Sequence, residues 1–302
     1  MKEEIKNRVL QSIANTLGMY VYHIDNSGLV NGKMGIMLFL YCYSRYAKEE
    51  YYEDFAGELL DGMLKVSRSW PPDFEDGLAG VGWGFDWLMK HDFVEGDVNK
   101  VLKPIDEKLF VSASYGIPNL ITGLMNYWAA RIWNGMEESV IRQRLPVLLE
   151  FIRRSSRNPL SLYQINAILH FIYSTENYLT TEEETELVQS LSCLANEAFD
   201  RLAFEGTDLF ILHRLLEQSD NRIALSKDSE ITFCLYASVP LTVPQRIRVA
   251  WQEWMYFGEV RCLIPEDKEI MDYVDNSLRS IQPDDFVLNQ GLAGLGLWML
   301  NL

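Results

Sequence analysis

The chain has 302 residues, 48% of them hydrophobic and 23% charged, and its 43 acidic side chains outnumber 27 basic ones to give a net charge of -16. The hydrophobic content excludes wholesale disorder, and the acidic balance argues against nucleic acid and anionic membranes as partners. The longest apolar run, Gly35 to Tyr43, is too short to span a membrane. Without an apolar signal segment or a CxxC pair, the sequence predicts a soluble protein of the reducing cytoplasm with no membrane insertion.

Helical periodicity dominates the chain. One amphipathic helix is marked by four apolar residues at helical spacing: Phe55, Leu59, Met63 and Val66. A second amphipathic stripe runs from Leu187 to Leu202, and Thr181 followed by Glu184 predicts a capping box at its start. Alternating strand patterns are scarce, and only the segment from Ile231 to Leu235 is compatible with a short strand.

A glycine-marked helix start recurs along the chain at a pitch of about 40 residues. It opens apolar helices at four dipeptides: Asn31-Gly32, Asp76-Gly77, Tyr115-Gly116 and Gln290-Gly291. The same pitch leads from Gly116 to the neighbourhood of Ile165 and then to Gly206. The interval from Gly206 to Gly291 covers about two periods, so we expect a degenerate repeat or an irregular segment within residues 226–265.

Within each period an amphipathic helix precedes a helix that is apolar on nearly all sides, as from Ile36 to Tyr41 and from Leu295 to Leu300. A helix that is apolar all round must be buried all round. This alternation predicts an all-α fold, an α/α toroid of six or seven inner and outer helix pairs, forming a single domain over residues 1–302. An open α-solenoid gives a similar pattern, but it would show distinct capping repeats.

The glycines at positions i and i+3, as in Gly77 and Gly80, are expected to let the inner helices approach closely. A rival interpretation is a phosphate-binding loop from Gly80 to Gly84. We do not favour it because no strand precedes the loop and acidic residues flank it.

The helix starts resemble those of the lanthionine synthetase C family of cyclases. Four segments carry the resemblance: Asp73 to Gly80 is similar to D-x-x-x-G-x-x-G, Ser114 to Pro118 to A-H-G-I-P, Phe204 to Thr207 falls at C-H-G, and Gly291 to Gly294 matches the terminal G-x-A-G. The resemblance implies an α/α toroid. It also implies a chemistry in which zinc activates a peptide cysteine thiolate for addition to a dehydrated Ser or Thr.

The sequence departs from this family at the residues that matter for zinc. The first cysteine ligand of the family falls near Tyr163, and the Cys-His pair falls at Phe204 and Glu205. The acid/base histidine falls at Tyr115, and only the aspartate is kept, as Asp73. A catalytic zinc site needs three nitrogen, sulfur or carboxylate ligands. We therefore predict no metal, no cofactor and no cyclase activity.

In a toroid the helix starts meet at one mouth, and this placement selects the candidate site. The catalytic candidates are Asp73, Tyr115 and Glu205, with Asp73 and Glu205 as a possible acid/base pair. The ligand-binding candidates are Glu75, Asp76, Tyr163, Gln164 and Gln290. The competing interpretation is that Asp73 and Asp76 cap a helix.

Three functional hypotheses follow from these residues. The first is a zinc-free relative of the cyclases, a possible pseudoenzyme that binds a peptide or protein partner in modified-peptide processing. The second is a glycoside hydrolase-like toroid enzyme that uses Asp73 and Glu205, by analogy of fold alone. The third is a non-catalytic scaffold, which a filled centre would support. The acidic mouth favours neutral or cationic ligands in each case where a ligand binds.

Overall fold

The computed structural model describes residues 2–64, 70–115, 120–218, 223–280 and 282–300, and all regular structure in these ranges is helical. The predicted all-α class is therefore confirmed. The α-helices in these ranges are α1 (Glu3–Tyr20), α2 (Lys33–Ala47), α3 (Glu50–Leu64), α4 (Leu78–Lys90), α5 (Val98–Ser114), α6 (Ile121–Trp133), α7 (Glu138–Ser155), α8 (Leu162–Thr175), α9 (Thr181–Asp200), α10 (Gly206–Gln218), α11 (Lys227–Ala237), α12 (Val243–Phe257), α13 (Asp267–Ser280) and α14 (Leu292–Met299).

Two local predictions are wrong. The segment from Ile231 to Leu235 lies inside α11, which Ser226 caps by accepting a hydrogen bond from the backbone N–H of Ser229. The capping box of α9 joins Thr180 and Glu183, one residue earlier than predicted. The sequence Thr-Thr-Glu-Glu-Glu offers both registers, and the cap forms in the earlier one.

The even-numbered helices are the buried ones. In α4 every residue from Leu78 to Met89 is buried, and in α14 every residue from Leu292 to Met299 is buried. The odd-numbered helices bury one face; in α5 the buried positions are spaced three or four residues apart, from Leu102 to Ala113. The predicted alternation of helices buried all round with helices buried on one face is confirmed in these examples.

Three of the glycine-marked starts share one geometry. Gly32, Gly77 and Gly291 are the N-cap residues of α2, α4 and α14, and no side chain caps these helices. Instead the preceding loop folds back, so that the backbone N–H of Leu78 donates to the carbonyl of Pro71 at 2.7 Å. A Cβ atom on Gly77 would lie 2.2 Å from that carbonyl oxygen. The glycines therefore make room mainly for the loop's own backbone, and the expectation that they serve helix–helix approach needs this correction.

The predicted third start lies partly outside the described residues, since Gly116 to Pro118 are not among them. Tyr115 is the C-cap residue of the preceding helix α5, and α6 begins at Ile121. Residues 226–265, which the spacing marks as degenerate or irregular, contain α11 and α12.

The helix contacts follow one order. Each even-numbered helix packs against the next, from α2 on α4 through α12 on α14, and α14 packs against α2. Each odd-numbered helix packs on an even-numbered neighbour, as α3 does on α2 and α9 on α8. Among the described helices, none is both long enough and apolar enough to cross a bilayer.

Candidate functional site

The loop before α4 and the first turn of α8 meet through a hydrogen bond. The Tyr163 hydroxyl donates to Oε1 of Glu75 at 2.8 Å, and α6 packs against both helices from between them. Burial raises the pKa of Glu75, and the hydrogen bond from Tyr163 opposes this rise. Burial and the charge of Glu75 hold the pKa of Tyr163 well above its usual range. The phenol therefore stays protonated and donates to the carboxylate.

Arg248, from the second turn of α12, links this pair to the start of α10. Its guanidinium lies 5.6 Å from the centroid of the Tyr163 ring, and Nη1 lies 2.6 Å from Oε2 of Glu205. Nη2 is 3.9 Å from Oδ1 of Asp208. The Arg248 side chain is only 13% exposed. A single guanidinium thus bridges α8, α10 and α12 and partly neutralises two carboxylates.

Asp208 is the buried carboxylate of this group. Its Oδ2 accepts a hydrogen bond of 2.9 Å from the backbone N–H of Glu205, where α10 begins. Its backbone carbonyl accepts from the Asn166 side chain at 2.9 Å. Burial raises the pKa of Asp208 to about 6, and the Glu205 N–H and Arg248 oppose the rise. A carboxyl with a pKa in this range can exchange a proton near neutral pH.

Several polar atoms beside this group are buried but have no hydrogen-bond partner among the described residues. They come from four even-numbered helices: both amide atoms of Asn126, Oδ1 of Asn166, Oγ1 of Thr207, Oδ1 of Asp208, Nε of Arg248, Oε1 of Gln252 and the hydroxyl of Tyr256. Most buried polar atoms in proteins are partnered, so a group of unpartnered ones calls for an explanation such as a ligand or bound water.

Electrostatic coupling shows that these groups lie near one another. Burial raises the pKa of Tyr256, and the charges of Asp208 and Glu75 raise it further, whereas the approach of the Asn126 side chain to the hydroxyl and the charge of Arg248 lower it. We call Glu75, Tyr163, Asp208, Arg248 and Tyr256, with the unpartnered groups named above, the polar centre.

Asp73 and Asp76 hold the loop before α4 rather than cap the helix. Oδ1 of Asp73 accepts a hydrogen bond of 2.7 Å from the backbone N–H of Asp76. Oδ1 of Asp76 accepts from the side chains of Asn26 and Asn31, the latter at 3.1 Å. Neither carboxylate binds an N–H group of α4, so the capping interpretation is wrong.

The other candidates are more dispersed. Tyr115 is 77% exposed at the end of α5 and makes no contact with the polar centre that the structure records in its described part. Gln164 forms the capping box of α8 with Ser161, at 3.0 Å from the backbone N–H. Gln290 has a left-handed φ of 61°, and its carbonyl accepts from the Tyr273 hydroxyl. Of the predicted residues, the structure therefore joins Glu75 to Tyr163 directly and brings in Glu205 through Arg248.

A second polar region lies beside the starts of α2, α4 and α14. It is an open cleft of about 820 Å³, and its lining includes Asp76, Gln290 and three further aspartates: Asp25, Asp284 and Asp285. Within the part of the chain that the structure describes, no lysine or arginine lines it. This end of the molecule therefore presents a field that favours cations.

Asp208 and Arg248 belong to no motif in the sequence, yet they are central here. The signal that could have found them is a charged residue within a helix whose other positions are largely apolar. Within the described ranges, no group of three or more His, Cys, Asp or Glu side chains is arranged to hold a metal ion. Phe204, at the position of a family zinc ligand, packs on Phe199 and Tyr236 with ring centroids 5.3 and 5.1 Å away.

Comparison with known proteins gives no relative: no family model, no curated protein and no solved structure matches this chain.

Proposed function

We propose that the even-numbered helices form the inner ring of an α/α toroid and the odd-numbered helices its outer layer. Two observations support this arrangement. The contacts between even-numbered helices return from α14 to α2, and these helices carry most of the residues buried on all sides. In a toroid of this kind, all inner helices begin at the same mouth, where the polar centre opens.

The function we propose is that of a zinc-free relative of the lanthionine synthetase C cyclases that binds a peptide at this mouth. The carrying observation is the position of Arg248. Its guanidinium lies between Tyr163 and Glu205, two of the positions at which the resemblance places zinc ligands. A cation of the protein itself then takes the role of holding these segments together, and neither a phenol nor the apolar Phe204 offers a zinc ligand.

The charges of the site indicate which peptides it binds. Glu205 and Asp208 lie beside Arg248, and Glu75 bonds to Tyr163. Among these residues and the rest of the polar centre, three carboxylates thus stand against one arginine, so the group carries a negative excess when its carboxylates are ionised. The cleft beside the starts of α2, α4 and α14 adds aspartates, and no lysine or arginine of the described ranges lines it. A lysine-bearing peptide supplies the ammonium and amide N–H donors that the free oxygen atoms of the centre lack.

A binding titration tests this proposal. Fluorescence anisotropy would follow dye-labelled Gly-Lys-Gly-Gly-Lys-Gly and its glutamate counterpart, both titrated with the purified protein. We expect preferential binding of the lysine peptide, weakened roughly ten-fold by Glu205→Gln, because one charge-assisted contact contributes about 1.5–3 kcal/mol. Glu58→Gln, at an exposed position of α3, is the matched control and should leave the affinity unchanged.

Two outcomes would overturn the proposal. Equal binding of the two peptides, or no binding of either, would overturn the peptide-binding role and leave the scaffold hypothesis. The contact between the Trp254 ring of α12 and the Trp83 ring of α4, with centroids 5.4 Å apart, favours that hypothesis. Stoichiometric zinc in the purified protein, measured by elemental analysis, would restore a metal-dependent chemistry.

One observation favours a second function, that of a hydrolase. Asp208 has a pKa of about 6, as a general acid requires, whereas the Glu205 carboxylate is held by Arg248. The acid/base pair to test is therefore Asp208 with Glu75 rather than Asp73 with Glu205. Turnover of a panel of chromogenic glycosides that Asp208→Asn abolishes would support this function, and no turnover on any of them would exclude it for those substrates.

A further inference from the structure

A second, aromatic cleft shares Tyr256 with the polar centre and extends towards the C-terminal ends of the even-numbered helices. It has a volume of about 150 Å³ and is formed where α4, α6 and α12 end. Its lining includes Trp87, Ala130, Trp133, His170, Trp254 and Tyr256. The peptide-binding role proposed above rests on the carboxylates around Arg248 and not on the aromatic wall of this cleft, so the inference drawn from the cleft can fail without it.

Two polar groups in this aromatic lining have no hydrogen-bond partner of normal geometry among the described residues. The Tyr256 side chain is only 7% exposed, and its hydroxyl has no hydrogen-bond partner in the described part of the chain. The same holds for Nδ1 of His170, whose ring meets the Tyr256 ring edge-on with centroids 4.6 Å apart. An apolar wall with a few unpartnered polar groups is the usual composition of a small-ligand pocket.

The protonation of His170 indicates what its ring can bind. Burial lowers the pKa of His170 to about 4, so the ring is neutral at physiological pH. A hydrogen bond between the ring and the backbone of Tyr256 opposes this shift. In the tautomer that carries the proton on Nε2, the unpartnered Nδ1 has a lone pair, and a ligand at this position then supplies the hydrogen-bond donor.

The residues at the rim of the cleft and its volume indicate the charge and the size of the ligand. Trp133 is 74% exposed at the end of α6 and offers an uncovered aromatic surface. Lys90 lies at the rim with its ammonium bonded to the Asn134 side chain, which disfavours a cationic ligand. The volume suits a single ring rather than an extended molecule.

We infer that this cleft binds one neutral aromatic ring that carries an O–H or N–H donor, with the ring against the tryptophans and the donor on Nδ1 of His170 or the Tyr256 hydroxyl. Such a ring belongs equally to a free phenol or indole and to a tyrosine or tryptophan side chain of a peptide.

The test uses ¹⁹F NMR on the full chain labelled with 5-fluorotryptophan, which gives one resonance for each of the 8 tryptophans. Titration with p-cresol should shift the resonances of Trp87, Trp133 and Trp254 and leave that of Trp298 in place. Toluene, which lacks the donor, should bind roughly five-fold more weakly, as the loss of about one hydrogen bond predicts.

Tyr256→Phe and His170→Phe remove the two acceptors in turn. One of the two variants should lose roughly five-fold in affinity for p-cresol and bind toluene as before, and wild-type affinity for p-cresol in both variants would overturn the inference. The tripeptide Gly-Tyr-Gly separates the two sources: shifts at the same three resonances indicate a peptide side chain, and shifts with p-cresol alone indicate a free small molecule. No shift with either probe, or equal affinity for p-cresol and toluene in the wild type, would overturn the inference.

Discussion

Two buried polar clusters share α6 and differ in how fully their atoms are partnered. Arg131, near the end of this helix, bonds Asp86 at 2.8 Å, Asp106 at 3.3 Å and Asn99 at 3.0 Å. The Tyr127 hydroxyl completes the group by donating to Asp106 at 2.6 Å. None of these side chains has an unpartnered buried atom in the part of the chain that the structure describes.

Asn126, five residues earlier on the same helix, belongs to the polar centre and has the opposite character. The side chain is 1% exposed, and neither amide atom has a partner among the described residues. A buried cluster whose polar atoms are all hydrogen-bonded stabilises the fold as a unit. A buried cluster with unpartnered polar atoms costs stability, and such a cluster is retained where it has another use. The difference shows that buried polar groups do not by themselves identify a binding site. Buried donors and acceptors that lack a hydrogen-bond partner do.

The largest effect is expected for Arg131→Met. The change leaves Asp86 and Asp106 buried without their cation, and the loss of one partner of a buried ion pair costs about 3–5 kcal/mol. Urea denaturation followed by circular dichroism measures the free energy of unfolding. Arg142→Met, which breaks an exposed ion pair with Glu138 and removes the guanidinium from beside the Tyr178 ring, should cost less than about 1 kcal/mol. Equal costs for the two variants would contradict the comparison.

Asp208 in the polar centre should make the stability of the protein depend on pH. Its pKa rises from 3.8 to about 6 on folding, so the folded state binds more protons between these values. Stability from this group is fully present below about pH 4 and is lost as the pH rises through about 6, by up to ~3 kcal/mol.

The measurement is the free energy of unfolding of the wild type and Asp208→Asn from pH 4 to pH 7.5. We expect the wild type to lose stability relative to the variant across this interval, because asparagine does not titrate. Parallel curves for the two proteins would show that Asp208 ionises in the folded protein as it does in the unfolded chain.

The smallest effect is expected for Asn126→Leu. Neither amide atom has a hydrogen-bond partner of normal geometry in the described ranges, and the side chain only approaches the Tyr256 hydroxyl. This substitution should therefore change the free energy of unfolding by less than about 1 kcal/mol, and a gain is as compatible with the structure as a loss. Urea denaturation of Asn126→Leu and Arg131→Met under the same conditions compares the free energies of unfolding of two variants on one helix. A loss of about 3 kcal/mol would mean that Asn126 is bonded as tightly as Arg131.

More of the fold than of the site could be predicted, because the burial of a helix determines the spacing of its apolar residues in the sequence. A helix such as α4, buried from Leu78 to Met89, is apolar at almost every position, and that pattern is visible without coordinates. Glu75, Tyr163 and Glu205 could be found because each lies at a helix start. Arg248 could not, because its partner Glu205 is 43 residues away and no local pattern joins the two.

Tyr115 shows that similarity to a family motif does not predict where a side chain lies. It lies in a segment similar to a family motif, but the last turn of α5 carries its side chain into solvent. A short sequence match fixes neither the direction of a side chain nor the helix to which it belongs. Only the tertiary contacts decide which side chains lie together in the polar centre.

The most direct test of the central claim is the affinity of Asp208→Asn for the lysine hexapeptide, measured by anisotropy at pH 7.5 beside its free energy of unfolding. The account predicts binding at least roughly ten-fold weaker, since a charge-assisted contact is lost, in a protein no less stable than the wild type. Unchanged affinity together with a loss of stability would show that the polar centre supports the fold and binds no cationic peptide.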